Sequence, residues 1–409
     1  MQTIVEYVWL GGNNDLHSKT RILEGPVFDV DAIPEWNYDG SSTAQAEGFF
    51  SEIVLKPCRV FRDPFRSNYQ QNALLVMCST YNPDGTPHST NHRHMADIMF
   101  SSASEMSPWF GMEQEYFISK TSEITESETS GHYYCSVGTK NAPMRNVADE
   151  HLKMCLNAGI KISGINAEVE RDQWEYQIGP CVGIEAGDHL WMARYLMERV
   201  AEHHAVIIDL DPKPLGNLSR NGSGCHVNYS TKAMRERGGM ADILQAIKRL
   251  EMKHFEHMNV YGKNNKKRLT GKCETANFET FSYGVGDRGA SVRIGTDTHR
   301  HGCGYFEDRR PGSNIDPYIV TSKIFETTTG ADWKSIFSTT SSDDDDENEC
   351  DEDLCHNLLP QMDAFGEFQT YVPHTNALPV PSFTDDTDTD TDTDTEMPPL
   401  IPIDDVSVD

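Results

Sequence analysis

Several acidic side chains in this sequence stand two apart inside runs that read as strands. In Phe110-Gly111-Met112-Glu113-Gln114-Glu115-Tyr116, the period of two puts Glu113 and Glu115 on one face and Met112 and Tyr116 on the other. In Gln173-Trp174-Glu175-Tyr176-Gln177-Ile178, Trp174, Tyr176 and Ile178 share a face and Glu175 lies opposite. Glu168 precedes that strand across an expected turn at 170–172. In the run 224–230, His226, Asn228 and Ser230 are co-facial, and in the run 304–311 so are Glu307 and Arg309.

If these strands share one sheet, five glutamates and one histidine line a single surface. An exposed Glu on an amphipathic strand is ordinarily part of a solvated face, and a lone His is more often structural than a ligand. Five carboxylates together repel one another unless cations balance them. Carboxylate oxygens with one imidazole suit Mg²⁺ or Mn²⁺, with waters or phosphate oxygens completing the shell. Arg268, Arg288, Arg293, Arg309 and Arg310 accompany them. Divalent ions with fixed guanidinium groups are what phosphoryl transfer needs, since its catalysis is mostly positioning and charge neutralisation. Gly284-Val285-Gly286 is no phosphate loop and the Walker pattern is missing, which argues against a P-loop ATPase.

The elements that must position these groups fall into two parts. Residues 3–10 and 18–23 read as strands around the turn Gly11-Gly12-Asn13-Asn14, and 53–61 and 73–81 add two more. A small, mostly β domain over 1–86 follows, closed by the turn-rich Asn82-Pro83-Asp84-Gly85-Thr86-Pro87. Over 87–333, strands alternate with helices at 92–106, 146–158, 187–204, 233–235 and 240–261. In 187–204, Leu190, Ala193, Leu196, Met197 and Val200 form one apolar stripe. Helices and strands outside a strict βαβ order predict an α+β fold with a largely antiparallel sheet.

Charge is unevenly spread. The net charge is -29, and residues 335–409 hold 21 of the 64 acidic residues with no Lys or Arg. The rest sets 35 basic residues against 43 acidic ones, an acidic balance that argues against nucleic acid or an anionic membrane as partner. No apolar run is long enough to cross a bilayer, and the first residues lack the pattern of a secretory signal. Ten cysteines without a CxxC pair suit a reduced, cytoplasmic protein with free thiols, where the sequons at Asn217, Asn221 and Asn228 are chance. The charge run 343–346 and the Thr-Asp repeat of 384–395 predict a disordered tail over 334–409.

These stretches, in this order, resemble the glutamine synthetase family of the eukaryotic (type II) kind. The resemblance is carried by Glu35-Trp36-Asn37-Tyr38-Asp39-Gly40-Ser41-Ser42-Thr43, by Phe61-Arg62-Asp63-Pro64-Phe65-Arg66, by Trp109–Tyr116 and Asn166-Ala167-Glu168-Val169. It continues through Gln173–Cys181, Gly187-Asp188-His189-Leu190-Trp191 and Phe306–Pro311, so it spans nearly the whole of 7–329. It implies a β-grasp-like N-terminal domain, and a larger catalytic domain with a curved antiparallel sheet flanked by helices. It implies a ligase that makes glutamine from glutamate, ammonia and ATP through a γ-glutamyl phosphate, with two or three Mg²⁺ or Mn²⁺ ions per site. Two other readings stand beside this one: a non-catalytic relative kept as an interaction protein, and a ligase for another amine.

Residue by residue, the resemblance assigns Glu113, His226 and Glu307 to one metal ion and Glu115, Glu168 and Glu175 to a second. ATP falls to Trp109, Glu113, Glu175, Asn228, Ser230, Arg288 and Arg293. Glutamate falls to Asn221, Gly222, His226, Arg268, Arg288 and Arg309. Asp39 matches the aspartate that takes a proton from ammonium, although Asp-Gly alone would read as a turn. Glu274 matches a lid residue that keeps water from the acyl phosphate, and Arg288 and Arg309 join these two in catalysis. The resemblance also implies self-association into rings, two stacked pentamers, in which one subunit's N-terminal domain closes its neighbour's site. The chain departs from the family by starting almost at the first strand, where relatives usually carry a preceding helix, so the expectation is that an inter-subunit contact is missing. It also reads Arg293-Ile294-Gly295-Thr296 where relatives read Arg-Ile-Pro-Arg, has a short acidic segment between Ser119 and His132, and carries the Asp/Thr tail.

Overall fold

The structure, a computed structural model, describes residues 2–66, 72–120, 133–216 and 220–330. The tail expected over 334–409, the acidic segment before His132 and the Asn217 sequon lie outside the described residues.

Strands β1 (Gln2–Leu10), β2 (Leu16–Glu24), β3 (Trp36–Asp39), β4 (Glu52–Arg62) and β5 (Asn72–Tyr81) form one sheet in the order β2-β1-β5-β4-β3. β1 and β5 pair parallel and the other neighbours antiparallel. On one face Val5, Tyr7, Trp9, Leu55, Leu74 and Val76 build a small core. Val8, Phe61, Leu75 and Met77 point the other way and join the main core.

The second sheet carries the acidic strands. It comprises β6 (Trp109–Ser119), β7 (Ile162–Ala167), β8 (Gln173–Val182), β9 (Ile207–Asp209), β10 (Cys225–Ser230), β11 (Tyr283–Val285), β12 (Val292–Ile294) and β13 (Phe306–Asp308). Their order is β11-β12-β13-β10-β6-β8-β7, with β9 also on β6, and only β11 and β12 pair parallel. The helices are α1 (His92–Ser102), α2 (Arg145–Ala158), α3 (Glu185–His204), α4 (Lys232–Arg235), α5 (Met240–Met252), α6 (His254–Met258), α7 (Thr296–His301) and α8 (Pro317–Thr329). This is the α+β architecture the sequence predicts, with a curled, largely antiparallel sheet backed by helices.

Alternation places the core. Met112, Tyr116, Trp174, Tyr176, Ile178, Val227, Tyr229 and Phe306 are buried in one cluster with the α3 stripe and with Val320, Ile324 and Phe325 of α8. The opposite face of the same strands is thereby committed to the glutamates.

Some boundaries differ from expectation. The segment 240–261 is two helices, because Lys253 leaves helical geometry (φ -106°, ψ 18°) between α5 and α6. The break turns His257 inward, where its ring nitrogens pair with Tyr261 at 2.6 Å and Thr327 at 2.9 Å. The helix from His92 stops at Ser102, and 104–106 is a single 3₁₀ turn. β3 is not legible in the sequence, being four residues between Pro34 and Gly40 at a sheet edge.

One carboxylate ties three helices. Asp188, in the first turn of α3, is fully buried and accepts hydrogen bonds from Arg93 Nε (2.7 Å) and Nη2 (2.9 Å) of α1. The Tyr318 hydroxyl of α8 donates to it at 2.7 Å. The helix N-terminus favours the negative charge. Arg59 of β4 bonds to Glu185 at 2.7 Å, joining the first sheet to the same turn. Asp188→Ala would strand a buried guanidinium and should cost about 3–5 kcal/mol, read as a lower urea midpoint. Asp188→Asn should cost clearly less, because it keeps acceptors for both partners; equal losses would contradict the charge argument.

Candidate active site

Strand register assembles the site. Arg293 of β12 stands opposite Glu307 of β13, Glu307 opposite Asn228 of β10, and Asn228 opposite Gly111 of β6. Two residues along β6, Glu113 lies between His226 and Gln177. Two further on, Glu115 faces Glu175, which in turn faces Asn166 of β7. Glu168 follows directly on β7, ahead of a turn in which Asp172 takes a left-handed conformation (φ 63°).

The face has two halves of different electrostatics. In the first, one ligand atom each from Glu113, His226 and Glu307 lie within 4.8 Å of one another. His226 Nδ1 is 3.5 Å from Glu113 Oε2 and 3.4 Å from Glu307 Oε1. Burial, reinforced by the Arg309 charge, holds the imidazole well below its ordinary pKa and hence neutral, the form that binds a metal. Glu307 is itself buried and shared by two arginines: Arg309 Nη1 donates at 2.7 Å, and Arg293 Nε donates to its other oxygen. Asn228 Nδ2 donates to Glu113 Oε1 at 2.7 Å.

In the second half, amides and backbone N–H groups rather than arginines donate to the acids. Burial, then the charge of Glu168, pushes Glu115 up to about 8. Burial, then Glu175, pushes Glu168 up to about 8, with exposed Glu274 adding to the rise. Burial, then Glu115 and Glu113, pushes Glu175 up to about 8. Burial first, and then their mutual repulsion, favours the protonated form of these acids, and a divalent cation would displace those protons. The donors fit such an ion: hard carboxylate oxygens in both halves, with a neutral imidazole in the first.

Neutral side chains orient the acids, and the sequence analysis does not single them out. Asn166 Nδ2 donates to Glu168 at 2.7 Å, Gln177 Nε2 donates to Asn166 at 2.7 Å and to Glu175, and Gln173 Nε2 donates to the Gly222 carbonyl at 3.0 Å. Gln173 and Gln177 are spaced at two from Glu175, and Asn166 at two from Glu168, so the same periodicity would have found them. Behind the face, Gln114 is fully buried; its Oε1 accepts from Arg194 Nε (3.0 Å) and Nη2 (2.7 Å), anchoring β6 to α3.

The remaining residues singled out in the sequence are distributed around this face. Arg268 is buried and donates through Nη2 to the carbonyls of Arg309, Arg310 and Pro311 at 2.7–3.1 Å. Burial lowers its pKa to about 10 and the Glu115 charge opposes that. Asn221 N–H donates to buried Glu170 at 2.9 Å. Gly222 has no room for a Cβ, which would sit 2.2 Å from the Pro212 carbonyl oxygen. Arg288 and Glu274 are exposed, and both their carbonyls accept from Arg309, at 3.2 and 3.3 Å. Glu274 has φ 57°, a strained left-handed backbone for a non-glycine residue.

Trp109 and Ser230 are paired in register at the far end of β6. Arg235, also missed, lies 4.0 Å over the exposed Trp109 ring and donates to the Ser230 hydroxyl at 3.0 Å.

Asp39 stands apart. It ends the edge strand β3, is exposed, and accepts hydrogen bonds from the hydroxyls of Ser51 (2.6 Å), Ser41 (2.7 Å) and Ser42 (2.7 Å). These hydroxyls, Ser51 first, hold its carboxyl well below the usual range. Among the described residues, none of its hydrogen bonds reaches the second sheet.

Comparison with known proteins gives a consistent result. Residues 89–332 match the family profile described as "Glutamine synthetase, catalytic domain". A chloroplastic glutamine synthetase of Brassica napus is 52% identical over 336 residues, covering 80% of this chain and 78% of its own. Cytosolic isozyme 1-3 of Arabidopsis thaliana is 52% identical over 336 residues, covering 80% of this chain and 94% of its own. Among solved structures, a cryo-EM structure of the Plasmodium falciparum glutamine synthetase aligns with a TM-score of 0.64 at 16% identity, covering 82% of this chain and 72% of that one, a likeness of fold.

The two halves should respond oppositely to neutralisation. Glu115, Glu168 and Glu175 are raised in the folded, metal-free protein, so folding takes up protons between about pH 4.5 and about 8. Their contribution therefore lowers stability as pH rises through that window. Glu168→Gln should flatten the decline and raise the metal-free melting temperature at pH 8 by a few degrees. Glu307→Gln should lower it, because Arg293 and Arg309 lose the anion they share. Melts in chelator from pH 5 to 9 measure both; the same sign for the two variants would refute the division.

Proposed function

The chain belongs to the glutamine synthetase family, and on that premise we propose which residues carry each part of its ATP-dependent synthesis of glutamine from glutamate and ammonia. The observation that carries the proposal is the face itself. The Glu113, His226 and Glu307 ligand atoms converge within 4.8 Å, beside three further glutamates that repel one another.

Glu113, His226 and Glu307 would hold one Mg²⁺ or Mn²⁺, and Glu115, Glu168 and Glu175 one or two more. When bound, such ions neutralise phosphate charge and polarise the transferring phosphoryl group. The protein's own part is positioning. Trp109, Asn228 and Ser230 present the strand end that takes the nucleotide, with Glu113 and Glu175 beside it. Arg288 and Arg293 steady its phosphates. Asn221, Gly222, His226, Arg268, Arg288 and Arg309 hold glutamate, whose γ-carboxylate becomes a γ-glutamyl phosphate and so acquires a leaving group. Arg268 contributes chiefly by fixing the 309–311 backbone, since its Nη2 is committed to three carbonyls there. Glu274, on an exposed and strained loop next to Glu168, is placed to close over the acyl phosphate and exclude water.

Asp39 would bind ammonium and favour loss of its proton, leaving NH₃ to attack. Because none of its hydrogen bonds among the described residues reaches the second sheet, we assign it to a neighbouring subunit's site, which calls for a ring, two stacked pentamers in the simplest form. In domain terms, 1–86 is the contributing part, 87–333 the catalytic part and 334–409 a tail outside the chemistry. No helix among the described residues is long and apolar enough to cross a membrane. Cytosolic and chloroplastic isozymes both occur among the relatives, and the cytoplasm is the compartment we propose.

Phosphate release that requires ATP, glutamate and ammonium together, and stops in excess chelator, is the expected result; turnover that persists without divalent ions would reject the metal roles. An amine panel in the same assay tests ammonium as acceptor. Asp39→Ala and Arg309→Ala should each be nearly inactive. In rings that mix them equally and at random, about one interface in four pairs two intact residues, so up to about a quarter of wild-type activity should return. No recovery in rings shown to hold both variants would mean that Asp39 does not serve a neighbour.

A further inference from the structure

The stretch from Arg220 to Gly224, which leads into β10, lies outside the strands and helices. Backbone groups in such a stretch need partners from other segments. The buried Lys213 ammonium donates to the Arg220 carbonyl. Asn221 N–H donates to Glu170 Oε1 at 2.9 Å, and the Gly222 carbonyl accepts from Gln173 Nε2 at 3.0 Å. Ser223 N–H donates to the Pro212 carbonyl at 3.0 Å, and Gly224 N–H to Glu115 Oε2 at 2.7 Å. At least one backbone group of every residue in the stretch is therefore held from outside it.

Two of these partners come from one turn, which runs from Glu168 to Gln173 between β7 and β8. The turn is closed on itself. Glu170 N–H donates to Gln173 Oε1 at 3.2 Å, and Gln173 N–H donates back to the Glu170 carbonyl at 3.2 Å. With its oxygen held in this way, the Gln173 amide turns its nitrogen to Gly222.

Glu170 is 1% exposed, and a carboxylate sits that deep only where it is paired and hydrogen-bonded. Its second oxygen lies 3.4 Å from Nε of Arg220, which is also buried. The side chain thus does two separable things. Oε2 balances the Arg220 charge, which serves the fold. Oε1 fixes the peptide of Asn221, a residue assigned above to glutamate. Trp109 and Ser230, assigned to ATP, are not among the partners in this network.

We propose that Glu170 is a positioning residue for glutamate: through Asn221 N–H, with Gln173 on the Gly222 carbonyl, it fixes the loop that takes the substrate. This rests on the assignment of Asn221 and Gly222 to glutamate and adds what holds them. Glu170 acts through Asn221 rather than on the substrate.

The test uses the full chain in saturating Mg²⁺, reading melting temperature and the KM values for glutamate and ATP from phosphate release. Glu170→Gln keeps an oxygen for Asn221 N–H and removes the anion beside Arg220. It should melt lower than wild type, with a glutamate KM within about threefold. Glu170→Leu/Arg220→Leu removes both charges and leaves Asn221 N–H without its acceptor. It should melt above Glu170→Gln, because a buried pair is replaced whole rather than broken. Its glutamate KM should nevertheless rise about tenfold or more, as expected for a lost hydrogen bond to a charged group, with the ATP KM within about twofold. Glu170→Leu alone should show the same raised glutamate KM. If glutamate KM instead follows melting temperature, or keeps its wild-type value in the leucine variants, Glu170 serves the fold alone and the proposal is overturned. Asn221→Ala separates that failure from failure of the assignment beneath it. A raised glutamate KM in Asn221→Ala, with none in the leucine variants, keeps Asn221 in the site and removes only the role of Glu170. An unchanged glutamate KM in Asn221→Ala removes Asn221 from the site, and the proposal with it.

Discussion

Carboxylates that repel one another must be held within a few ångströms, and the rest of the structure answers to that constraint. The answer lies in strand alternation. Tyr116 and Tyr176 are buried among the helices, and each fixes the direction of the glutamate before it, Glu115 and Glu175. A slip of one residue in either strand would send an acid into the core and a tyrosine into the site. The cost of burying a charge in the core therefore protects the register that builds the charged face. Gln114 tests this rule: it is polar on the apolar side, and it is tolerated because Arg194 and the Ser313 carbonyl satisfy its amide.

Compensation is divided rather than spread. Glu307 keeps two arginines, so its corner is balanced with no ion present. Glu115, Glu168 and Glu175 have amides and backbone N–H groups as their hydrogen-bond partners, which orient carboxylates without neutralising them. Protons fill that role in the metal-free chain, since burial and mutual repulsion lift all three acids towards neutrality. The same division means that a bound cation would relieve repulsion chiefly among Glu115, Glu168 and Glu175.

Most of this was legible in the sequence where periodicity is long and strict. The site-bearing strands β6, β8 and β10 show period two over six or more residues, and α3 shows its apolar stripe across the whole helix. What periodicity cannot reach is set by tertiary contact. β3 is too short to carry a pattern, and the break at Lys253 serves His257, whose partner Thr327 is seventy residues away. Arg235 was passed over because nothing local marks it; its value comes from Trp109, which only the fold brings beneath it. The resemblance marks Arg268 as a substrate ligand, and the structure adds that it clamps the backbone bearing Arg309.

Asp39 poses the sharpest chemical problem. Three serine hydroxyls and a backbone N–H all donate to it, so it stays ionised and attracts a small cation well. The same bonds make it a poor proton acceptor, because each is stronger to the anion than to the acid. For Asp39 to take a proton from bound ammonium, some of that donation has to be withdrawn. Ser51 is the donor whose withdrawal would matter most, being the largest contributor to the lowered pKa. The serine-bearing turn thus sets both where the carboxylate sits and how basic it is.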